Sequence, residues 1–356
     1  MPKWGVVFLV FIVVGLVATV VAFFVINVNP RKLAAKDTGA PEGPAGIMVS
    51  RDSGNTWEEL DGSWGLTPLT FTFASGERDH LYVGTRGAGL WILKEGSKKM
   101  ERVNDSSGVL KNTADVYSVA ESPDGKALYL GVFQDNRGRV IRLTEKEAVQ
   151  IYQTALEGYP VLEMFVDPLD ELRIDIVAEG AFYEARDGGK ANEWETLARI
   201  KDGFKKITRG RTLDDFFGVD GLEKIFVTHT GGRLWRETAP MTVDGHTAKT
   251  VYGMDYSSSR GSLLAATDFG LLETYNDGET WSALRTPVPP ATLPITAVAA
   301  HPRFSEVIWM AAERLLYRSD DGGVAWSVVE LPTTKKITLL KSRISNPKEL
   351  YAGLSE

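Results

Sequence analysis

One eight-residue phrase, Ser-x-Asp-x-Gly-x-Thr-Trp, recurs along this chain and restricts its fold more than any other feature. It is complete at Ser50-Arg51-Asp52-Ser53-Gly54-Asn55-Thr56-Trp57 and nearly so at Ser319-Asp320-Asp321-Gly322-Gly323-Val324-Ala325-Trp326. A third copy, Thr274-Tyr275-Asn276-Asp277-Gly278-Glu279-Thr280-Trp281, keeps the spacing with Thr for Ser and Asn for Asp. A degenerate fourth is Asp187-Gly188-Gly189, with Trp194 displaced by an insertion. These residue types specify a turn, not a reaction. The Ser and Asp side chains can accept backbone N–H groups inside a tight bend, and Gly takes a backbone conformation that a Cβ opposes. The Trp then heads the next strand and packs back over the hairpin.

Around these turns lies a larger unit with a period of roughly 45 residues, the length of a propeller blade. Each unit opens with an apolar strand and turns into a second strand that often ends in small residues, such as Leu81-Tyr82-Val83-Gly84 and Leu263-Leu264-Ala265-Ala266. Openings fall at Thr70 to Phe73, Val116 to Val119, Val161 to Phe165, Phe216 to Val219, Val251 to Met254, Ile295 to Val298 and Ile337 to Leu340. The fourth is spaced irregularly, which suggests an insertion before it and a short blade after it. The final unit reaches only its second strand, Leu350-Tyr351-Ala352-Gly353, while Gly46 to Ser50 and Trp57 to Leu60 supply a third and fourth. The expected fold is therefore all-β: a seven-bladed β-propeller closed by pairing of N- and C-terminal strands, which removes the exposed edges of an open ring. The propeller is assigned to 46–356, with blade seven built from 336–356 plus 46–60.

The region from Gly46 to Glu356 resembles the BNR/Asp-box propellers, a superfamily that includes sialidases, sortilin-type receptors and photosystem II assembly and stability factors. The residues that carry the resemblance are Ser50, Asp52, Gly54, Thr56 and Trp57; Asn276, Gly278, Thr280 and Trp281; and Ser319, Asp321, Gly323 and Trp326. Seven units and no catalytic signature place the chain nearer the assembly-factor and sortilin-type branch. A sialidase would bring an arginine triad, a Tyr-Glu nucleophile pair and an acid/base Asp. The Phe/Tyr-Arg-Ile-Pro motif that carries one of those arginines is missing, and His301-Pro302-Arg303-Phe304 falls where a blade loop is expected.

From Gly5 to Ile26 no residue is charged. About 22 residues make a helix of about 33 Å, long enough to span a bilayer. Residues 1–27 are thus read as one uncleaved transmembrane helix, because the run is too long for a signal-peptide core and no small-x-small site follows closely. Residues 28–45, with Pro30, Gly39, Pro41, Gly43 and Pro44, form a tether. Lys3 on one side against Arg31, Lys32 and Lys36 on the other favours a cytoplasmic propeller by charge counting. A very short tail before a long apolar helix, and the superfamily's usual location, favour the extracytoplasmic (periplasmic or lumenal) side, which is the orientation adopted; the cytoplasmic one stays open.

Chemistry is sparse by comparison. The four histidines, His80, His229, His246 and His301, are scattered without metal-ligand spacing. The Gly-rich stretch Gly84 to Gly89 reads as a turn, not a phosphate cradle. There is no cysteine, so disulfides and thiolate metal sites are excluded. A formal net charge of −7 argues against a nucleic-acid partner. A basic cluster, Arg199, Lys201, Lys205, Lys206, Arg209 and Arg211, falls in the apparent insertion and is the candidate docking site for anionic lipid headgroups or an acidic partner surface. The functional expectation is a non-catalytic, membrane-anchored interaction module, without cofactor or metal. It would act as assembly factor or accessory subunit of an integral membrane protein complex in the lipid bilayer. The alternative is an extracytoplasmic carbohydrate-binding receptor or sialidase-like glycoside hydrolase. Convergent Arg, Tyr and carboxylate groups in the propeller channel would favour that alternative; an apolar or plugged channel would oppose it.

Overall fold

Alternating short strands and Gly-rich turns fold here into seven four-stranded antiparallel sheets, together with one two-stranded hairpin, Thr242–Val243 with His246–Thr247. The structure is a computed structural model that describes residues 46–74, 79–190 and 193–355. The first strands of blades one to seven are Pro68–Phe73, Asp115–Glu121, Val161–Val166, Phe204–Arg209, Val251–Ser257, Ala297–Ala300 and Lys336–Ser342. Each touches the first strand of the next blade, and the seventh returns to the first, so these strands enclose a central channel. In blades one to five and blade seven the first strand carries a β-bulge at the same place, as between Val161 and Glu163 or Phe204 and Lys206. A bulge adds local twist and re-aims the side chains beyond it.

The sheet order of blade seven runs Glu58–Glu59, Ile47–Ser50, Leu350–Ser355, Lys336–Ser342. Ile47 pairs with Gly353 and Ser50 with Leu350, so the two ends of the described chain close the ring in one sheet. The core lies between blades. Each layer draws apolar side chains from two neighbours, such as Leu264, Leu271, Ile295, Ile308 and Met310 between blades five and six. Small residues on the second strands let the next blade approach. A Cβ on Gly84 would lie 2.4 Å from the Val116 carbonyl oxygen of blade two.

One assignment is corrected. Phe216 to Val219 belongs to the second strand of blade four, Phe216–Asp220, and the opening strand is Phe204–Arg209. Blade four therefore follows the ordinary period, with neither an insertion nor shortening. Only Phe204 and Ile207 of that strand are buried in the blade stack, while Lys205, Lys206, Thr208 and Arg209 are not. Its apolar signal is too thin to recognise. Among the described residues no helix is long and apolar enough to cross a membrane. The apolar run at 5–26 and the tether lie outside the described residues.

Candidate functional site

Strand direction sorts the loops onto two faces. In an antiparallel meander the turn between strands one and two and the turn between three and four share a face; the other connections share the opposite one. All copies of the Trp turn lie between strands three and four, and so on one face. Gly46 enters on the other.

All seven blades line the central channel, which has a volume of about 450 Å³. Thr70, Ser118, Glu163, Lys206, Arg209, Tyr252, Asp255 and Lys341 contribute to its wall, and Tyr117, Phe165, Met254 and Leu339 supply its apolar part. It is neither plugged nor apolar. Burial pushes the Glu163 carboxyl up to about 7, opposed by the charges of Lys206 and Lys341. Burial likewise lowers the Lys206 ammonium, with Glu163 pulling the other way, and raises the Asp255 carboxyl against Lys341 and the Ala300 N–H. Lys206 donates to the Tyr252 carbonyl at 2.7 Å and Asp255 accepts the Ala300 N–H at 2.8 Å. Tyrosines, carboxylates and one arginine do converge, but a single arginine in the channel is not an arginine triad.

The six basic residues of the sequence reading do not share a surface. Arg199 ends the outer strand of blade three and donates to the Glu179 carbonyl and the Tyr183 hydroxyl, at 2.9 and 3.2 Å. Lys201 is exposed in the loop that follows, on the face where Gly46 enters. Lys205 pairs with Glu223, while Lys206 and Arg209 line the channel. Arg209 lies over the Phe165 and Phe216 rings, 5.2 and 5.6 Å from their centroids. Arg211 is exposed on the Trp-turn face. Sequence proximity became dispersal because the strand runs through the disc from one face to the other.

The Trp turns have the hydrogen bonds their residue types suggest. Ser50 Oγ accepts the Gly54 N–H at 2.7 Å, Asp52 accepts the Thr56 N–H at 2.8 Å and its hydroxyl at 2.6 Å, and Trp57 Nε1 donates to the Gly54 carbonyl at 3.1 Å. These bonds hold the Asp52 carboxyl down at about 2, Thr56 contributing most. Thr274 and Asn276 repeat the pattern towards Gly278 and Thr280, and Ser319 and Asp321 towards Gly323 and Ala325. A further copy escaped the sequence reading: Thr228-His229-Thr230-Gly231-Gly232-Arg233-Leu234-Trp235, in which Thr230 Oγ1 accepts the Leu234 N–H at 2.9 Å and Trp235 Nε1 donates to the Gly232 carbonyl at 2.8 Å. Its signals were Thr228 at the first position, as Thr274 in the third copy, and the Gly-x-x-Trp spacing, while Thr230 stands where Asp was sought.

The histidines take local roles except one. His80, His246 and His301 bond nearby backbone groups, whereas His229 bridges blades four and five through Asp215 at 2.8 Å and Asp277 at 3.3 Å. Phe216 and Phe217 are buried.

No protein-family model and no curated protein matches the sequence. Solved structures do. The chain is similar to "YCF48 bound to D1 peptide", with TM-score 0.64 and 17% identity over 85% of this chain and 96% of that one. It is similar to YCF48 from Cyanidioschyzon merolae, with TM-score 0.62 and 15% identity over 81% and 95%. The WD40 repeats of RRP9 match with TM-score 0.57 and 12% identity over 88% and 99%. At these identities the likeness is one of fold. The chain is a seven-bladed β-propeller.

Proposed function

We propose that this propeller is a non-catalytic, membrane-anchored interaction module on the extracytoplasmic side, serving as assembly factor or accessory subunit of a multisubunit membrane protein complex. The observation that carries this reading is the nearly end-to-end likeness to YCF48, one structure of which holds a D1 peptide. The hydrogen-bonded Trp turns support placement with the BNR/Asp-box propellers, and the apolar run at 5–26 supports the anchor. A rigid disc and a membrane helix give two weak contacts that combine through high effective concentration.

Two surfaces are suited to these contacts. On the Trp-turn face, Leu169, Leu234, Phe304, Val324 and Ile344 stand exposed on loops of blades three, four, six and seven, where a partner's apolar surface would cover them. On the opposite face Arg199 and Lys201 are placed to meet anionic headgroups or an acidic partner, each cation contributing about 1 kcal/mol near such a surface. Mild-detergent extraction followed by native-gel sizing and mass spectrometry tests the proposal. Co-migration with a defined membrane complex is expected. Leu169→Asp with Leu234→Asp should abolish it without lowering the melting temperature, and Arg199→Glu with Lys201→Glu should weaken it. Migration of the wild-type chain alone would overturn the reading.

A further inference from the structure

Six of the seven joints between blades are closed by the hairpin that joins strands three and four of the later blade. At five of them a Gly of that hairpin presses on the earlier blade: Gly189 on Ile151, Gly232 on Phe182, Gly278 on Thr238, Gly323 on Leu284 and Gly54 on Trp309, where an added Cβ would stand 3.0 Å or less away. At the sixth, between blades seven and one, Met100 N–H donates to the Asp61 carbonyl at 2.8 Å. The joint of blades one and two has neither device. Strands three and four of blade two, Arg137–Thr144 and Ala148–Gln153, are joined by only Glu145, Lys146 and Glu147, with no Gly and no Trp. A cavity of about 830 Å³ is left there, walled by Tyr82, Ile92 and Val103 of blade one and Ala127, Leu128 and Leu143 of blade two.

The filled joints show what this place accepts. Trp281 Nε1 donates to the Ala239 carbonyl at 3.2 Å, and Trp326 Nε1 to the Arg285 carbonyl at 2.7 Å. Each acceptor lies two residues beyond the outer strand of the earlier blade, Arg236–Glu237 or Ser282–Ala283. Asn104 holds that position beyond Glu101–Arg102, and its carbonyl accepts no bond from blade two among the described residues. Val103 corresponds to Leu284: its N–H bonds the Leu90 carbonyl as that of Leu284 bonds the Leu271 carbonyl. Leu284 packs in one apolar layer with Trp326. Ile92, Val103 and Leu143 are only half-buried, so a covering ring would remove further apolar surface from water.

We infer that the joint of blades one and two is a docking site for a tryptophan side chain of a partner protein, which completes the missing staple from outside. Its ring lies against Ile92, Val103 and Leu143, and its indole N–H donates to the Asn104 carbonyl. The cavity is larger than an indole alone fills, so residues flanking the tryptophan have room, which favours a protein segment over free indole. The rim carries both signs, with Lys126 paired to Asp124 at 2.8 Å and Arg142 to Glu147 at 4.0 Å. The ring therefore selects the ligand, as buried tryptophan anchors do at many interfaces. The inference does not rest on the membrane-complex reading, because it uses other residues and any tryptophan-bearing partner would serve.

The test uses the full chain in lipid nanodiscs, which leave no free detergent to enter the cavity, and a capped, fluorescein-labelled peptide of residues 274–283. Anisotropy titration should give saturable binding with a Kd of about 10–100 µM. Alanine in place of the peptide's tryptophan should weaken binding at least about tenfold. 1-Methyltryptophan, which lacks the N–H donor, should weaken it about 2–10-fold. Leu143→Trp fills the cavity from within and should abolish binding while melting no lower than the wild type. Leu169→Asp with Leu234→Asp, on other blades, should leave binding unchanged, which separates this site from docking on the Trp-turn face. Absence of saturable binding up to about 1 mM, equal binding of the alanine or 1-methyltryptophan peptide, undiminished binding to Leu143→Trp, or loss of binding in the Leu169 and Leu234 variant overturns the inference. Free indole binding as tightly as the peptide also overturns it, since the occupant would then be a small molecule.

Discussion

The joints between neighbouring blades are built in two ways. Where the later blade carries a Trp turn, its Gly is driven into the preceding blade; in blades three, five and six the indole N–H also bonds across the joint, whereas Trp57 and Trp235 bond to their own turn's Gly carbonyl. A Cβ on Gly278 would lie 2.6 Å from Thr238 Cβ, and one on Gly323 would lie 2.3 Å from Leu284 Cδ2. Trp281 Nε1 donates to the Ala239 carbonyl at 3.2 Å and Trp326 Nε1 to the Arg285 carbonyl at 2.7 Å. Trp194 reaches the Ile151 carbonyl at 3.0 Å across the joint of blades two and three. The joint between blades seven and one uses the same acceptor position for a main-chain bond, Met100 N–H to the Asp61 carbonyl at 2.8 Å. Between blades one and two there is no such tie. Blade two turns tightly at Thr144 to Glu147, and the carbonyl equivalent to those acceptors, that of Asn104, receives no bond from blade two among the described residues. A cavity of about 830 Å³ opens there, lined by Tyr82, Ile92, Val103, Leu128 and Leu143 under a rim that includes Lys126, Arg142 and Glu147. The difference shows that the Trp phrase is a staple between blades as much as a turn within one.

Removing a staple should therefore cost far more than altering the open joint. Trp281→Ala deletes a buried indole shared by two blades, and about 3–5 kcal/mol of stability should be lost in urea titration. A loss under about 1 kcal/mol would mean that the indole only decorates its own hairpin. Gly323→Ala should cost about 1–3 kcal/mol, because φ is +94° and the added methyl meets Leu284. If it were neutral, the turn would not be pressed against blade five.

The staples also give the comparison a pH axis. Asp52 has its carboxyl held at about 2, below the ordinary value of about 3.9. A group depressed on folding adds stability that is fully present above its unfolded pKa and is lost as pH falls through the folded one. The contribution should thus decay between about pH 4 and pH 2. Asp52→Asn should remain folded, since Asn276 makes the same backbone contact to Thr280 in another staple at 3.0 Å. Its melting temperature should fall less steeply across that window than the wild type's. Equal slopes would assign the acid sensitivity elsewhere.

These staples also mark how far the sequence could be read. Turn chemistry is local, so Ser50 to Trp57 announced itself, and the continuously apolar second strands ending in small residues revealed most of the blades. Blade four did not, because the wall of a channel is wetter than a core. Lys206 and Arg209 occupy places that Thr70 and Phe73 hold in blade one, so the polar strand passed for an inserted loop. The charge pattern of the channel was illegible for a related reason. Glu163, Asp255 and Lys341 are far apart in the chain and meet only when the ring closes. Nor could sequence show an open joint, since an absent Trp leaves no motif to find.

The smallest expected effect is the sharpest test of the comparison. Leu143 is half-buried and lines the open joint, whereas Leu284 lies under the Gly323 turn of a stapled one. Leu143→Trp has space to enter and should be neutral or stabilising by up to about 1 kcal/mol, as cavity filling usually is. The same exchange at Leu284 must displace the Gly323 turn and should cost about 1–3 kcal/mol. Paired urea titrations read the contrast directly. Equal costs at both sites would mean that the joint of blades one and two closes in solution, and that its missing staple is replaced by packing rather than left open.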